Sequence, residues 1–227
     1  MIDIHSHILP SVDDGCQTEE EALLLLEEDV CAGVTDVILT PHHKNDCICD
    51  PEVVKEKFDQ FKKIVNERGI KVNLYLGQEV YIGSENLDFI NRDNILTLNN
   101  SPYVLVEFDF SVPQDILNIV YELSVRGFKP IVCHYERYFY ADLDLAVDIK
   151  NNGGFIQVNA DSLTRDSRMG RRFARKLLKY RLIDFVASDI HMQRKNCMAK
   201  AYKLVLRKCG YSHADEIFNT NAKEFIG

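Results

Sequence analysis

The chain has 227 residues, of which 46% are hydrophobic, and a formal net charge of −8. It is long enough for one domain with a sizeable core, and its acidic balance argues against a nucleic-acid partner, whose phosphates require a basic surface. No apolar run approaches the ~20 residues of a membrane helix, so we expect a protein that is not embedded in a membrane.

The N-terminal residues lack the basic and apolar regions of a signal peptide, and the seven cysteines are scattered. We therefore expect a cytoplasmic protein with reduced thiols.

Short apolar runs, several of them rich in Val and Ile, alternate with helical patterns along the chain. Continuously apolar runs of this length are typical of parallel strands that are buried on both faces. The predicted strands are 1–5, 35–40, 71–79, 103–108, 129–134, 154–159 and 184–189.

Helix signals separate these runs. Thr18 and Glu21 have the spacing of a capping box, which predicts a helix start. Asp-Pro at 50–51 predicts the next start, with the aspartate as cap and the proline as first helical residue. Pro113 predicts a third start, and Gly127 predicts the end of that helix.

The alternation of seven strands with helices predicts an α/β fold, either a barrel or an open doubly wound sheet. No linker or low-complexity segment divides the chain, so we expect a single domain spanning 1–227. In barrels the chemistry lies at the C-terminal ends of many different strands. The polar residues of this chain follow that distribution, which favours the barrel.

Six of the predicted strands end in or near histidines and carboxylates. The residues are His5, His7, Asp14, His42, Glu79, Glu107, His134, Asp189 and His191. Residues two apart on a strand point to the same side, so His5 and His7 face one point, as do Asp189 and His191. Imidazole and carboxylate ligands suit zinc, manganese or iron. A single such histidine is commonly only a polar residue with a partner, whereas six strand ends of this kind predict a metal site.

These residues resemble the PHP superfamily of metallophosphoesterases, most closely its branch of bacterial tyrosine-protein phosphatases of capsule and exopolysaccharide synthesis. The matching motifs are Met-Ile-Asp-Ile-His-Ser-His at 1–7, Val-Asp-Asp-Gly at 12–15, Thr-Pro-His-His at 40–43, Leu-Thr-Leu-Asn-Asn at 96–100, His-Tyr-Glu-Arg-Tyr at 134–138 and Phe-Val-Ala-Ser-Asp at 185–189 with His191. They extend over the whole chain. The resemblance implies a distorted (β/α)7 barrel of the TIM type, in agreement with the seven predicted strands.

The resemblance also implies three divalent cations, with manganese expected and iron or zinc as alternatives. The implied ligand sets are His5, His7, Glu79 and Asp189 for one metal; Glu79, Glu107 and His134 for a second; and Asp14, His42 and His191 for a third. Four carboxylates and three divalent ions leave a charge of about +2 if the histidines are neutral, which suits a phosphoryl dianion. We expect a metal-activated hydroxide to attack phosphorus directly, without a phosphoenzyme.

Arg137 follows His134 by three positions. Mainly through the family pattern, it is predicted to clamp the phosphoryl oxygens with its planar guanidinium, and a surface arginine is the alternative. Family members usually carry an Arg-Pro element after the Asp-x-His motif. The segment 192–197 lacks the proline, and Arg194 is the candidate replacement.

The stretch 165–181 holds eight basic residues and one acidic residue. A solvated helix face is one interpretation. The other is a docking surface for an acidic, tyrosine-rich peptide, with Arg165 and Arg168 nearest the site.

The leading prediction is a protein-tyrosine phosphatase that acts on the tail of a bacterial tyrosine autokinase controlling polysaccharide export. One alternative is another PHP phosphoesterase, such as a histidinol-phosphate phosphatase, against which the motif at 134–138 argues. A polymerase-associated nuclease and a non-catalytic metal-binding regulator are further alternatives. The acidic balance argues against the nuclease and the complete ligand set argues against the regulator. A cysteine-dependent phosphatase is excluded, because none of the seven cysteines has an arginine six positions on. The oligomeric state is left open.

Overall fold

The structure is a computed structural model that describes residues 1–44, 47, 50–83, 87–91, 93–164 and 170–226. Its strands are β1 (Ile2–Ser6), β2 (Asp36–Leu39), β3 (His42–His43), β4 (Asn73–Leu76), β5 (Glu79–Tyr81), β6 (Tyr103–Glu107), β7 (Lys129–Val132), β8 (Phe155–Asn159) and β9 (Phe185–Ala187).

The α-helices are α1 (Glu19–Cys31), α2 (Pro51–Glu67), α3 (Ile116–Val125), α4 (Leu143–Asn151), α5 (Ala160–Leu163), α6 (Arg171–Lys179), α7 (Met198–Cys209), α8 (Tyr211–Asp215) and α9 (Asn221–Ile226). Short 3₁₀ turns lie at Leu87–Phe89, Leu98–Asn100 and Tyr135–Arg137, and a π-helical turn lies at Glu216–Thr220. In the part of the chain described here, no helix has the length and apolar character needed to cross a membrane.

All pairings between the described strands are parallel. They form a three-stranded sheet of order β1-β2-β4 and a six-stranded sheet of order β3-β5-β6-β7-β8-β9. A parallel bridge between Ser6 and Ile190 connects β1 to the segment after β9. The sheets are therefore curled, as in a half-barrel, and the predicted mixed α/β class is confirmed.

Two predicted strands are interrupted. The run 71–79 contains the separate strands β4 and β5, which are interrupted at Gly77 and Gln78, although the Gly77 N–H still donates to Leu39 O over 2.9 Å. A Cβ at Gly77 would lie 2.6 Å from the Leu98 side chain, so glycine permits this close approach. Pro41 separates β2 from β3 in the same way. The two breaks lie side by side, and the ladder therefore divides into two sheets.

The helix starts follow the predicted signals with one exception. The Thr18–Glu21 capping box is present at α1, and Asp-Pro at 50–51 begins α2. The third start was predicted too early, because Asp115 and not the segment at Pro113 caps α3. The Asp115 side chain accepts the N–H of Asn118 over 3.2 Å, so the helix begins at Ile116.

A small apolar cluster is formed by buried side chains from strands of both sheets. It includes Leu105 of β6, Ile131 of β7 and Ala187 of β9, all fully buried. Alternation along these strands puts Glu107 and Asp189 on the same faces, one step towards the C-terminal ends. The polar residues thus meet at one end of the sheet.

Candidate metal centre

The nine residues predicted as ligands converge at the C-terminal ends of the strands. Their nitrogen and oxygen atoms form four overlapping groups, and within each group these atoms lie within 4.8 Å of one another. The groups are His7, Asp14, His42 and His191; His5, Glu79 and His134; His5, His7 and Asp189; and His42, Glu79 and Glu107. This partition differs from the predicted sets in three ways. His7 also lies beside His42 and His191, His134 groups with His5 and Glu79, and Glu107 groups with His42 and Glu79.

Glu79 lies at the centre of the cluster and is 1% exposed. Its Oε1 lies 2.8 Å from His134 Nε2 and 3.3 Å from His5 Nε2. Its Oε2 lies 2.8 Å from His42 Nδ1 and 3.2 Å from His7 Nε2. Each oxygen of this carboxylate therefore faces two imidazoles, a geometry that suits a carboxylate shared between two cations.

The two aspartates lie at different depths. Asp189 is buried, and its Oδ1 lies 3.6 Å from His5 Nε2 and 3.5 Å from His7 Nε2. Asp14 is 62% exposed at its side chain, with Oδ1 3.3 Å from His42 Nε2 and 3.7 Å from His191 Nε2. The cluster therefore opens to solvent on the side of Asp14.

Buried polar atoms without partners show that these residues fit a metal. His42 Nδ1, Glu79 Oε2 and His134 Nδ1 have no hydrogen-bond partner among the described residues. His42 Nδ1 and Glu79 Oε2 are close but not aligned for a hydrogen bond. Each such buried atom costs ~1–3 kcal/mol when left unsatisfied. Cations coordinated by these lone pairs would remove that cost, and imidazole with carboxylate is a common donor set for divalent transition metals.

The ring pKa values divide the histidines into two kinds. Burial alone lowers the pKa of His42, but the charge of Glu79 and a hydrogen bond to Asp14 raise it to about 9. For His134 and His191 burial prevails and lowers the pKa to about 4. Burial, together with the charge of Glu79, raises the pKa of Glu107 to about 7. Protons thus stabilise the metal-free cluster, and cations would displace them.

Three further side chains hold the ligands in place and were missed from the sequence. Asp13 Oδ2 lies 2.7 Å from His7 Nδ1 and accepts the backbone N–H of His42 over 2.9 Å. Gln157 and Asn159 lie two apart on the buried strand β8 and contact the cluster from below. The alternation of these two polar residues on an otherwise apolar strand could have identified them from the sequence. Asp13 belongs to the Val-Asp-Asp-Gly motif at 12–15, next to Asp14, but its role depends on the loop conformation.

Two predicted arginines lie at the opening. Arg137 Nη1 is 3.4 Å from Asp189 Oδ2, and its guanidinium lies 4.5 Å from the centre of the Phe110 ring. Arg194 donates to the backbone carbonyl of Asp189 over 2.8 Å and also to its carboxylate. Both side chains are partly exposed. The predicted contacts of Arg165 and Arg168 lie outside the described residues.

Comparisons with known proteins point in one direction. The family described as capsular polysaccharide synthesis, CpsB/CapC, matches residues 1–227. The tyrosine-protein phosphatase CpsB of Streptococcus agalactiae is 33% identical over 238 residues, covering 100% of this chain and 98% of that protein. The tyrosine-protein phosphatase YwqE of Bacillus subtilis is 31% identical over 229 residues, covering 98% of this chain and 90% of that protein.

Solved structures agree with the sequence matches. A crystal structure reported for YwqE of B. subtilis and CpsB of Streptococcus pneumoniae, "unique metal-dependent tyrosine phosphatases", matches with a TM-score of 0.86 at 30% identity, covering 94% of this chain and 90% of that chain. A histidinol phosphate phosphatase of Lactococcus lactis matches with a TM-score of 0.57 at 13% identity, covering 92% of this chain and 94% of that chain, which shows a shared fold alone. The family resemblance inferred from the motifs is therefore confirmed.

Proposed function

This chain belongs to the capsular polysaccharide synthesis CpsB/CapC family, and from that membership we propose that it is a metal-dependent protein-tyrosine phosphatase. Its reaction is hydrolysis of the phosphoric monoester of phosphotyrosine in a protein substrate. We further propose that this substrate is the tail of a tyrosine autokinase that regulates capsular or exopolysaccharide synthesis. The observation that carries the proposal is the buried cluster around Glu79 with two arginines at its opening.

We propose three cations, with manganese expected and iron or zinc as alternatives, held by the nine residues of the cluster. When bound, such cations polarise the phosphoryl group and activate water. Glu79 lies where one carboxylate can serve two cations, because each of its oxygens faces two histidines. Glu107 supports this arrangement from the side, with Oε1 3.6 Å from His134 Nε2 and Oε2 3.7 Å from His42 Nδ1.

Arg137 and Arg194 bind and orient the phosphoryl group in this proposal. Both guanidiniums now share the Asp189 carboxylate. A phosphoryl dianion offers them equivalent oxygen acceptors, and the planar fork of an arginine matches such oxygens better than the point charge of a lysine. The Phe110 ring under Arg137 restricts the plane of its guanidinium.

A basic surface whose N-terminal end lies beside the opening supports an acidic peptide as substrate. It consists of Arg171, Arg172, Arg175, Lys176, Lys179 and Arg181 on and just after α6. None of these six forms an ion pair with a carboxylate in the described part of the chain. The N-terminus of α6 lies next to the turn that carries Arg137, since a Cβ at Gly170 would lie 2.6 Å from Glu136 Cγ. We propose that this surface, together with Arg165 and Arg168, binds the acidic peptide around phosphotyrosine.

The remaining sequence predictions form part of the same proposal. The fold is a distorted (β/α)7 barrel if β2 with β3, and β4 with β5, each count as one interrupted strand. The chain is one domain over 1–227, and it works in the cytoplasm.

The test is hydrolysis of an acidic phosphotyrosine peptide and of histidinol phosphate by the purified protein, before and after chelation and after Mn²⁺ is restored. We expect the peptide to be hydrolysed faster, activity to vanish with the chelator, and activity to return with Mn²⁺. Preferential hydrolysis of histidinol phosphate would assign a different substrate. Bound metal without hydrolysis of either ester, in Mn²⁺, Fe²⁺ or Zn²⁺, would favour a non-catalytic regulator.

A further inference from the structure

Two buried amide side chains on β8 connect His5 to Asp189 beneath the metal centre. Gln157 is fully buried and Asn159 is 3% exposed. His5 Nδ1 lies 3.2 Å from Gln157 Oε1, Gln157 Nε2 donates to Asn159 Oδ1 over 2.9 Å, and Asn159 Nδ2 donates to Asp189 Oδ2 over 2.7 Å. Because β8 pairs with β9 and the segment after β9 bridges to β1, these contacts link neighbouring parts of the sheet.

The direction of these hydrogen bonds follows from the chemistry at their far end. An ionised Asp189 can only accept, so the amide nitrogen of Asn159 must face it. Asn159 Oδ1 is then left to accept from Gln157, and Gln157 must turn its oxygen towards His5. The backbone N–H of His134 also donates to Gln157 Oε1, over 2.8 Å, and sets the same orientation from a second side.

An amide oxygen opposite His5 Nδ1 requires a proton on that nitrogen. His5 Nε2 then presents its lone pair to the cluster, where it lies 3.3 Å from Glu79 Oε1 and 3.1 Å from His7 Nε2. We propose that Gln157 and Asn159 form an amide relay that fixes the tautomer and ring orientation of His5 for metal binding. They are positioning residues, and the inference rests on the metal centre proposed above.

The neighbouring histidine shows why an amide suits this place. His7 Nδ1 is held by a carboxylate, Asp13, at 2.7 Å. A second carboxylate beneath His5 would add negative charge to a cluster that already contains four carboxylates. A glutamine fixes the same tautomer without that charge. Through Asn159 the relay also occupies Oδ2 of Asp189 and leaves Oδ1 towards the histidines.

The relay is tested on Zn²⁺-loaded protein by ¹⁵N NMR of the histidine rings and by competition of a chelator for the bound Zn²⁺. In the natural protein we expect His5 to carry its proton on Nδ1. Gln157→Leu removes the acceptor, so we expect loss of that tautomer signature and metal affinity lower by ~10–100-fold. Gln157→Glu retains an acceptor opposite His5 Nδ1 but loses the donor to Asn159 Oδ1. We therefore expect it to keep the Nδ1 proton of His5 and to lose less metal affinity than Gln157→Leu.

Gln78→Leu is the matched control. Gln78 is also fully buried, but its Oε1 accepts the backbone N–H of Leu96 over 2.9 Å. We expect this variant to lose stability as Gln157→Leu does and to retain the Nδ1 proton of His5.

The inference is overturned if His5 of the natural protein carries its proton on Nε2, a measurement that needs no substitution. It is also overturned if folded Gln157→Leu keeps both the tautomer and the metal affinity, or if the Leu and Glu variants lose metal equally. Neither readout depends on phosphotyrosine hydrolysis, so a different substrate would leave the relay standing.

Discussion

Asp13 connects the stability of the metal-free protein to the geometry of its metal centre. Its side chain is fully buried, with Oδ2 2.7 Å from His7 Nδ1 and 2.9 Å from the backbone nitrogen of His42, and with Oδ1 3.0 Å from that of Gly15. Burial by itself raises the pKa of Asp13. The positive charge on His7 and the three hydrogen bonds outweigh burial and lower this pKa to about 2. The informative substitution is Asp13→Asn, which keeps the shape and removes the charge.

The expected magnitude follows from the pKa. A drop from the usual ~3.9 to the folded value of about 2 stabilises the folded protein by about 2.5 kcal/mol at neutral pH. Because the folded pKa is the lower one, this contribution is present above the unfolded pKa and falls to roughly half by pH ~3. We therefore expect metal-free Asp13→Asn to be about 2 kcal/mol less stable than the natural protein at pH 7, and the difference to shrink in acid.

The assay is urea unfolding of both metal-free proteins between pH ~3 and pH ~7, with the free energy of unfolding extrapolated to water. A difference that stays constant with pH would show that Asp13 acts through packing and not through its charge, and would refute the reasoning. Metal affinity measured on the same samples should fall by ~10–100-fold, since the Asp13 carboxylate orients His7.

Two further substitutions test a buried carboxylate, Asp29, and the arginine at the opening, Arg137. Asp29 is fully buried and its Oδ2 has no partner in the described part of the chain. Burial and the charge of Asp3 raise its pKa well above the usual range, so stability falls as pH rises through the window between the unfolded and folded pKa values. Urea unfolding should show Asp29→Asn to be the more stable protein at pH 7, with a slope in that window flatter by up to ~1.4 kcal/mol per pH unit. Arg137→Lys keeps the charge but loses the planar fork of the guanidinium. We therefore expect kcat/KM for a phosphotyrosine peptide to fall ~10–100-fold while the metal content stays unchanged. Loss of metal in this variant would show instead that Arg137 stabilises the metal centre.

The convergence of the nine predicted ligands was predictable because parallel strands in a repeated β-α pattern all end on the same side of the sheet. His5 and Glu107, for example, are separated by 102 positions along the chain, yet each lies in a group of candidate ligands that contains Glu79. Arg137 was placed mainly by the family pattern, together with its short separation from His134, and its Nη1 lies 3.4 Å from Asp189 Oδ2.

Other features depend on backbone geometry that the residue types alone do not determine. Asp13 and Asp14 are adjacent and chemically alike, but one is buried against His7 and the other is 62% exposed beside His42. The loop conformation decides between them. Likewise the interruptions at Pro41 and Gly77 divide the ladder into two sheets because they lie on neighbouring strands, which a single sequence read in order does not show.

The charges of the cluster lead to a last consequence for metal loading. Four carboxylates share a buried space with five histidines, and without cations the raised pKa of His42 and of Glu107 keeps protons there. Cations require neutral imidazoles and ionised carboxylates, so metal binding at His42 and Glu107 must release the protons held there. Metal binding and proton release are therefore one equilibrium, and the affinity of the cluster for divalent cations rises with pH through the pKa values of about 7 and about 9.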